Sequence, residues 1–404
     1  MNRRLNSAEF YLLIGLALFL PLAEAPKNIF LYLFILTWFY RTPVNTILDG
    51  LPVAYWSPLV SIVFLSIISG FFSPGNRIEA LVNSIDFISI VCILITLSRT
   101  SLSLRQRNIL LIACLVGIAV AMLEGHLRGG RFPSLKSVGH INQAAIYLAI
   151  ACSVCLSWAL LARSALWKVA SAFSLALLLF ALLKTDSRNA IYAVMLVAII
   201  ALFINLKLKN VANVVYIATA ILVGAFLMVM AKPQFIEKQL NYSAVSGTIV
   251  DEARLRIWNG AMLAAQERPF LGYGVGMFGL ANSSENLKSI LRNSNRDFNE
   301  GDFVFTDHAH NLSINWLLER GILAILLLYF WMAVTLRYFA KNLTSVEEDH
   351  FWKLCGIFSV TTAFFCGLGN TSWHHEHGLL AAILIGLSVS HIFRLRYSRP
   401  PARD

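Results

Sequence analysis

Asp307-His308-Ala309-His310-Asn311 runs directly into Leu312-Ser313-Ile314-Asn315-Trp316-Leu317-Leu318, and this junction decides how the chain is read. Before it lies a long polar segment. After it an apolar stretch continues to residue 338. Most of the remaining sequence is built from similar stretches, at approximately 9–23, 28–40, 53–72, 79–97, 108–124, 141–162, 166–183, 189–206, 211–231, 311–338, 351–370 and 378–393. Of the 404 residues 57% are hydrophobic and 14% charged, against about 25% charged in a soluble domain. Crossing a bilayer as a helix takes roughly 20 apolar residues. The expected fold is therefore an all-α polytopic membrane protein with about 12 transmembrane helices. Residues 1–231 would hold helices 1–9, residues 232–310 one large outer loop domain, and residues 311–404 helices 10–12 with a basic tail. Phe10 to Leu22 reads as a retained first helix, because the next apolar stretch follows at once.

Basic residues in short loops set the orientation. With the N-terminus inside, Arg41, Arg99, Arg105, Arg107, Arg163, Lys207, Arg337 and Lys341 all fall on the cytoplasmic side, as does the tail from Arg394 to Arg403. Three outer segments break this rule. One carries His126, Arg128, Arg131 and Lys136, a second Lys184 and Arg188, and the third is the long loop with Arg254, Arg256 and Arg268. Arginines held outside against the usual bias imply an anionic ligand there. The net charge of +11 would not by itself say so, because attraction to inner-leaflet lipids explains about half of the basic residues. Nucleic acid is excluded as a partner by the lack of a soluble basic domain.

The long loop exceeds the roughly 12–15 residues of a plain connector. Asp251 to Gln266 has helical spacing, with Leu255, Trp258, Met262 and Ala265 on one face, and Ser283 to Arg296 reads as a second amphipathic helix. Between them Gly272-x-Gly274-x-Gly276 lacks the strand, helix and lysine of a nucleotide fingerprint. It reads as a tight turn that lets backbone pass close to something. Arg254 and Arg256 are two apart and so lie on different faces of their helix. Arg188 at a helix end can fork a phosphate or simply snorkel to the interface. His308 and His310 offer a neutral general base at a helix start, or a pair of interfacial histidines. A metal site on Asp307, His308 and His310 lacks further ligand spacing. Trp373-His374-His375-Glu376-His377 also looks like a metal cluster, but adjacent histidines share one metal poorly. His140 and Asn142 suit an N-cap. The six cysteines, including Cys152-x-x-Cys155, sit in apolar stretches and read as packing residues.

Taken together, the chain resembles the bacterial lipopolysaccharide O-antigen ligases and, more broadly, the polysaccharide polymerases and protein O-oligosaccharyltransferases. The resemblance rests on the twelve-helix hydropathy, the one large late loop, Ser187-Arg188, Arg256-Ile257-Trp258, Pro269-Phe270-Leu271-Gly272-x-Gly274, His308-x-His310-Asn311 with Glu319-x-Gly321, and Gly139-His140-Ile141-Asn142-Gln143. It implies inverting, metal-independent glycosyl transfer at the periplasmic face of the inner membrane, with no cofactor. The donor would be an undecaprenyl-diphosphate-linked glycan and the acceptor a lipid A–core oligosaccharide. His310 is expected as general base with His308 second, and Arg188 and Arg256 as diphosphate ligands. Arg254, Arg131 and Arg128 are weaker candidates for the same anion, and Asn311 would orient the histidine. The rival from another class is an organic-anion transporter, but no pair of matching halves is visible in the sequence.

Overall fold

The computed structural model describes residues 3–129, 132–162, 164–207, 213–214, 217–218, 252–341, 343 and 350–398. Eight helices precede the loop: α1 (Ser7–Phe19), α2 (Glu24–Arg41), α3 (Val53–Phe71), α4 (Arg77–Ser98), α5 (Leu104–Leu127), α6 (Ile141–Leu161), α7 (Ala165–Lys184) and α8 (Arg188–Lys207). The loop domain contributes α9 (Glu252–Glu267), α10 (Phe278–Ala281) and α11 (Ser284–Asn293). The chain continues through α12 (Leu312–Lys341), α13 (His350–Gly367) and α14 (His375–Ser398). Eleven of the twelve apolar stretches thus fall on helices, and the expected stretch 211–231 lies mostly outside the described residues. Among the described residues seven helices, α3 to α8 and α12, are long and apolar enough to cross a membrane.

α6 is buried along almost its whole length, and it packs on α7, α13 and α8. α4 packs on α14 and α3, and α3 packs on α12. A parallel two-residue pairing of β1 (Arg3–Arg4) with β2 (Thr100–Ser101) closes the end of the bundle away from the loop domain. At the other end the starts of α2, α4, α6, α8, α12 and α14 gather beneath the loop domain. The Lys27–Glu376 ion pair joins α2 to α14, and Ser137 donates to Glu376 at 3.2 Å.

The loop domain has its own apolar core, formed by Ile257, Ala261, Tyr273, Phe278, Leu287, Ile290, Phe303, Ala309 and Leu318. The second predicted helix is present as α11, with Leu287, Ile290 and Leu291 buried. In α9 the period is as expected but the face is not. Ile257, Gly260, Ala261, Ala264 and Ala265 are buried, whereas Leu255 and Met262 are exposed. The reason is close packing: a Cβ on Gly260 would come within 2.3 Å of Asn282 Oδ1 and 2.9 Å of Leu287. Small residues, not large ones, mark the inner face.

The main departure from the sequence reading is in α12, expected as one continuous span. At Gly321 the backbone turns to φ 78°, ψ 175°, which breaks the helix after Arg320. The glycine-rich strap of residues 269–276 fills the break. Ile322 N donates to Pro269 O (2.8 Å), Tyr273 N to Leu318 O (2.7 Å) and Gly274 N to Glu319 O (3.0 Å). A Cβ on Gly321 would sit 2.0 Å from Phe270 O, and one on Gly272 would sit 2.5 Å from the Glu319 carbonyl carbon. Ser69 and Ser73 at the end of α3 tie the same region, donating to Glu319 O (2.8 Å) and Tyr273 O (2.6 Å). A backbone region open only to glycine carries a penalty of about 1–3 kcal/mol for any other residue. Gly321→Ala should therefore lower the thermal unfolding temperature of the detergent-solubilised protein clearly more than Gly129→Ala, whose Cβ meets nothing within 4 Å although φ is 75°. Equal losses for the two would show that strain alone matters and that the strap does not press on Gly321.

Candidate active site

His308 and His310 flank Ala309, and the structure clamps that residue on every side. Its N–H donates to Asn315 Oδ1 (3.1 Å), its carbonyl accepts from the Trp258 indole (2.7 Å), and its methyl is fully buried. The two imidazoles project from this fixed point with their ring centroids 4.2 Å apart. His310 adopts the left-handed region at φ 49°, a conformation few non-glycine residues hold without surrounding support. Asn311 then caps α12 by accepting from Ile314 N (3.1 Å).

The other wall is the turn between α13 and α14, held through its carbonyls. Asn189 donates to Cys366 O (2.6 Å), Asn311 to Leu368 O (3.0 Å) and Arg254 to Gly369 O (3.0 Å). These three bonds bring the starts of α8, α9 and α12 onto one turn. The next residue, Asn370, is buried and its side chain acts on His310.

Burial is the largest influence on His310 and pushes its pKa down to about 4. His308, the Arg254 cation and His140 push the same way, and Asn370 opposes them. His308 is lowered too, chiefly by burial, with Asp307 opposing. His310 is therefore a neutral imidazole at pH 7, able to accept a proton, and one positive side chain stands near it.

The expected site residues separate into groups. His308, His310 and Arg254 come together. Arg188 is exposed at the first position of α8, immediately before Asn189. Arg256 points to a different face of α9, where it donates to Phe303 O (3.3 Å). Arg128 pairs with Glu124 one turn earlier on its own helix (2.5 Å), and Arg131 lies outside the described residues. Asn311, expected to orient the histidine, has its side chain engaged by Leu368 O and Ile314 N, and Asn370 occupies that place instead. Nothing in the spacing of Asn370 marks it in the sequence. Its only signal is its position in a short polar turn between two apolar stretches. His140 is the N-cap of α6, accepting from Asn142 N (3.2 Å).

The His374–His377 cluster is a set of polar contacts. His375 Nδ1 lies 3.0 Å from Asp86 Oδ2, and the His374 ring packs 4.4 Å from His375 and 4.8 Å from His377. Among the described residues no group of three or more His, Cys, Asp or Glu has metal-binding geometry. Beneath the histidine-bearing loop, Arg320 bonds to Glu319 (2.9 Å) and to Ser66 (3.2 Å), with its guanidinium 4.4 Å from the Trp316 ring. An ion pair at this depth is costly unless internally satisfied, and here it is.

The depressed pKa sets a pH window. The unfolded histidine binds its proton near 6.5 and the folded one near 4. Stability linked to His310 is thus fully present above 6.5 and is lost as pH falls toward 4. An NMR titration of labelled histidine should place His310 near 4, and Asn370→Ala should lower it further. Titration at 6.5 would mean that the ring is solvated rather than held.

Residues 173–329 match the O-antigen ligase family model, a stretch that includes Arg188, Arg254, Arg256, His308, His310 and the Gly321 break. A relative from Acinetobacter baylyi, the ComP-specific O-oligosaccharyltransferase, is 26% identical over 158 residues, or 38% of this chain. The matched stretch spans 27% of that relative's length. Over residues 173–329, then, this chain is similar to the O-antigen ligase family.

Proposed function

We propose that this protein is an inverting glycosyltransferase. It moves a glycan from undecaprenyl diphosphate to a sugar hydroxyl of lipid A–core oligosaccharide, at the periplasmic face of the bacterial inner membrane. The observation that carries the reading is the neutral His310 held beside His308, Arg254 and Asn370 at the junction of loop domain and bundle.

In the proposed reaction His310 takes the proton from the acceptor hydroxyl. The resulting oxygen attacks the anomeric carbon from the face opposite the diphosphate. The carbon–oxygen bond to phosphate breaks, and the electron pair leaves with the diphosphate. Arg254 and Arg188 supply positive charge to that leaving group, and Arg256 does so from the second face of α9. The start of α12 adds its partial positive charge. The pKa near 4 describes the free protein. A bound diphosphate would raise it, bringing the base closer to the working pH.

A second reading keeps the chemistry and changes the acceptor. The similarity to a protein named as an O-oligosaccharyltransferase favours a hydroxyl on a protein as the alternative. The deciding assay mixes purified protein with undecaprenyl-diphosphate-linked glycan and either lipid A–core or the ComP protein named for the relative, with EDTA present, and follows the slower-migrating product. Product on lipid A–core is expected, and product on the protein alone would establish the alternative. Turnover by neither, with a competent donor, would sink both.

His310→Ala should reduce transfer by about 10²–10⁴-fold, the usual contribution of a general base, with the protein still folded in detergent. Arg254→Lys keeps the charge and loses the fork. It should weaken transfer more than Arg128→Lys, whose arginine is already paired on its own helix. A neutral effect of Arg254→Lys would remove that residue from the donor site.

A further inference from the structure

We propose that the end of the bundle opposite the loop domain holds a binding site for one anionic phospholipid, between the starts of α3 and the ends of α12 and α14. A cleft of about 270 Å³ opens there, lined by Pro52, Tyr55, Val334, Arg337, Tyr338, Lys341 and Val389.

The lining has the two-part chemistry of a lipid. Val334, Tyr338 and Lys341 recur along one face of α12 with Arg337, at helical spacing. Pro52 and Val389 provide apolar walls across from them. Arg337 and Lys341, both exposed and one turn apart, form the charged rim. No ion pair joins either of them to a carboxylate among the described residues. A free inorganic phosphate would be served by the rim alone and has no use for the apolar walls. A neutral lipid would use the walls and leave the two cations unanswered. An anionic phospholipid answers both, with the Arg337 fork on its phosphate and an acyl chain along Val334 and Val389.

The cleft is also built rather than incidental. Tyr55 is buried, hydrogen-bonded to Ser98 (3.0 Å), with its ring 6.2 Å from Trp331. The segment leading into α3 is pinned by Arg99, which donates to Asp49 O and to Thr46 O (3.2 Å). Both walls are therefore fixed by groups outside the cleft. Basic clefts between membrane helices on the positively charged side are a recurring form of anionic headgroup recognition. The proposal does not depend on the transfer chemistry at the other end of the molecule.

Native mass spectrometry of the full chain, titrated with phosphatidylglycerol, phosphatidylcholine or inorganic phosphate, tests it. Wild type should retain phosphatidylglycerol preferentially, and inorganic phosphate should not displace it. Arg337→Gln and Lys341→Gln should each weaken retention about fivefold, the effect of removing one basic residue at a lipid surface. Val334→Phe should reduce retention by filling the apolar wall with both cations intact, so the test survives if a charge variant fails to fold. Arg105→Gln, an exposed arginine outside the cleft, should leave retention unchanged. Equal retention of the two lipids, or equal loss with Arg105→Gln, would overturn the proposal in favour of a diffuse basic surface. Displacement by inorganic phosphate would overturn it in favour of a plain anion site.

Discussion

The structure depends on one constraint: a helix broken within a membrane bundle must have its freed backbone groups answered by other backbone. α12 breaks at Gly321, and the strap from the loop domain supplies the partners through Pro269 O, Tyr273 N and Gly274 N. Two glycines facing one another's backbone allow the approach, and serines from α3 complete it. The loop domain is thereby locked to the bundle by main-chain bonds, which have no rotamers to lose.

The break also separates two functions of α12. The part after Gly321 is an apolar membrane helix. The short part before it belongs to the loop domain's core through Leu318 and carries Asn315, which holds Ala309 and so sets both histidines. Rigidity of the histidine pair matters for the electrostatics. A neutral imidazole beside a guanidinium requires that the two not drift apart into solvent, where the histidine would titrate normally. Arg254 is kept in place by the Gly369 carbonyl, and Asn370 follows directly on that turn.

Much of this was legible in the sequence, and the gaps have physical causes. Hydropathy located eleven helical stretches, because apolar length is a strong signal. It did not locate the Gly321 break, because the long apolar stretch outweighs the short Glu319-Arg320-Gly321 interruption. The glycine run of the strap did announce a close backbone approach, though not to what. The histidine pair stood out because such residues are rare at a membrane boundary. Asn370 and the α8–α13 contact through Asn189 were invisible, because they depend on segments far apart in the chain. The shared face of Leu255, Trp258, Met262 and Ala265 did not say which side of α9 lies inside, because close packing selected Gly260, Ala261 and Ala264. Asn311 was assigned by proximity in sequence, while space gave its amide to a cap and a carbonyl.

The turn that carries Asn370 lies between the last two described helices, whereas its grips come from α8, α9 and α12. In a chain made from its N-terminus, the histidines, Arg254 and the strap are all synthesised before that turn exists. During synthesis the imidazole of His310 therefore lacks its Asn370 partner, and Arg254 lacks the Gly369 carbonyl that fixes it. The pocket is therefore complete only once the turn after α13 has been made, so an unfinished chain cannot hold the two histidines and Arg254 in their final arrangement.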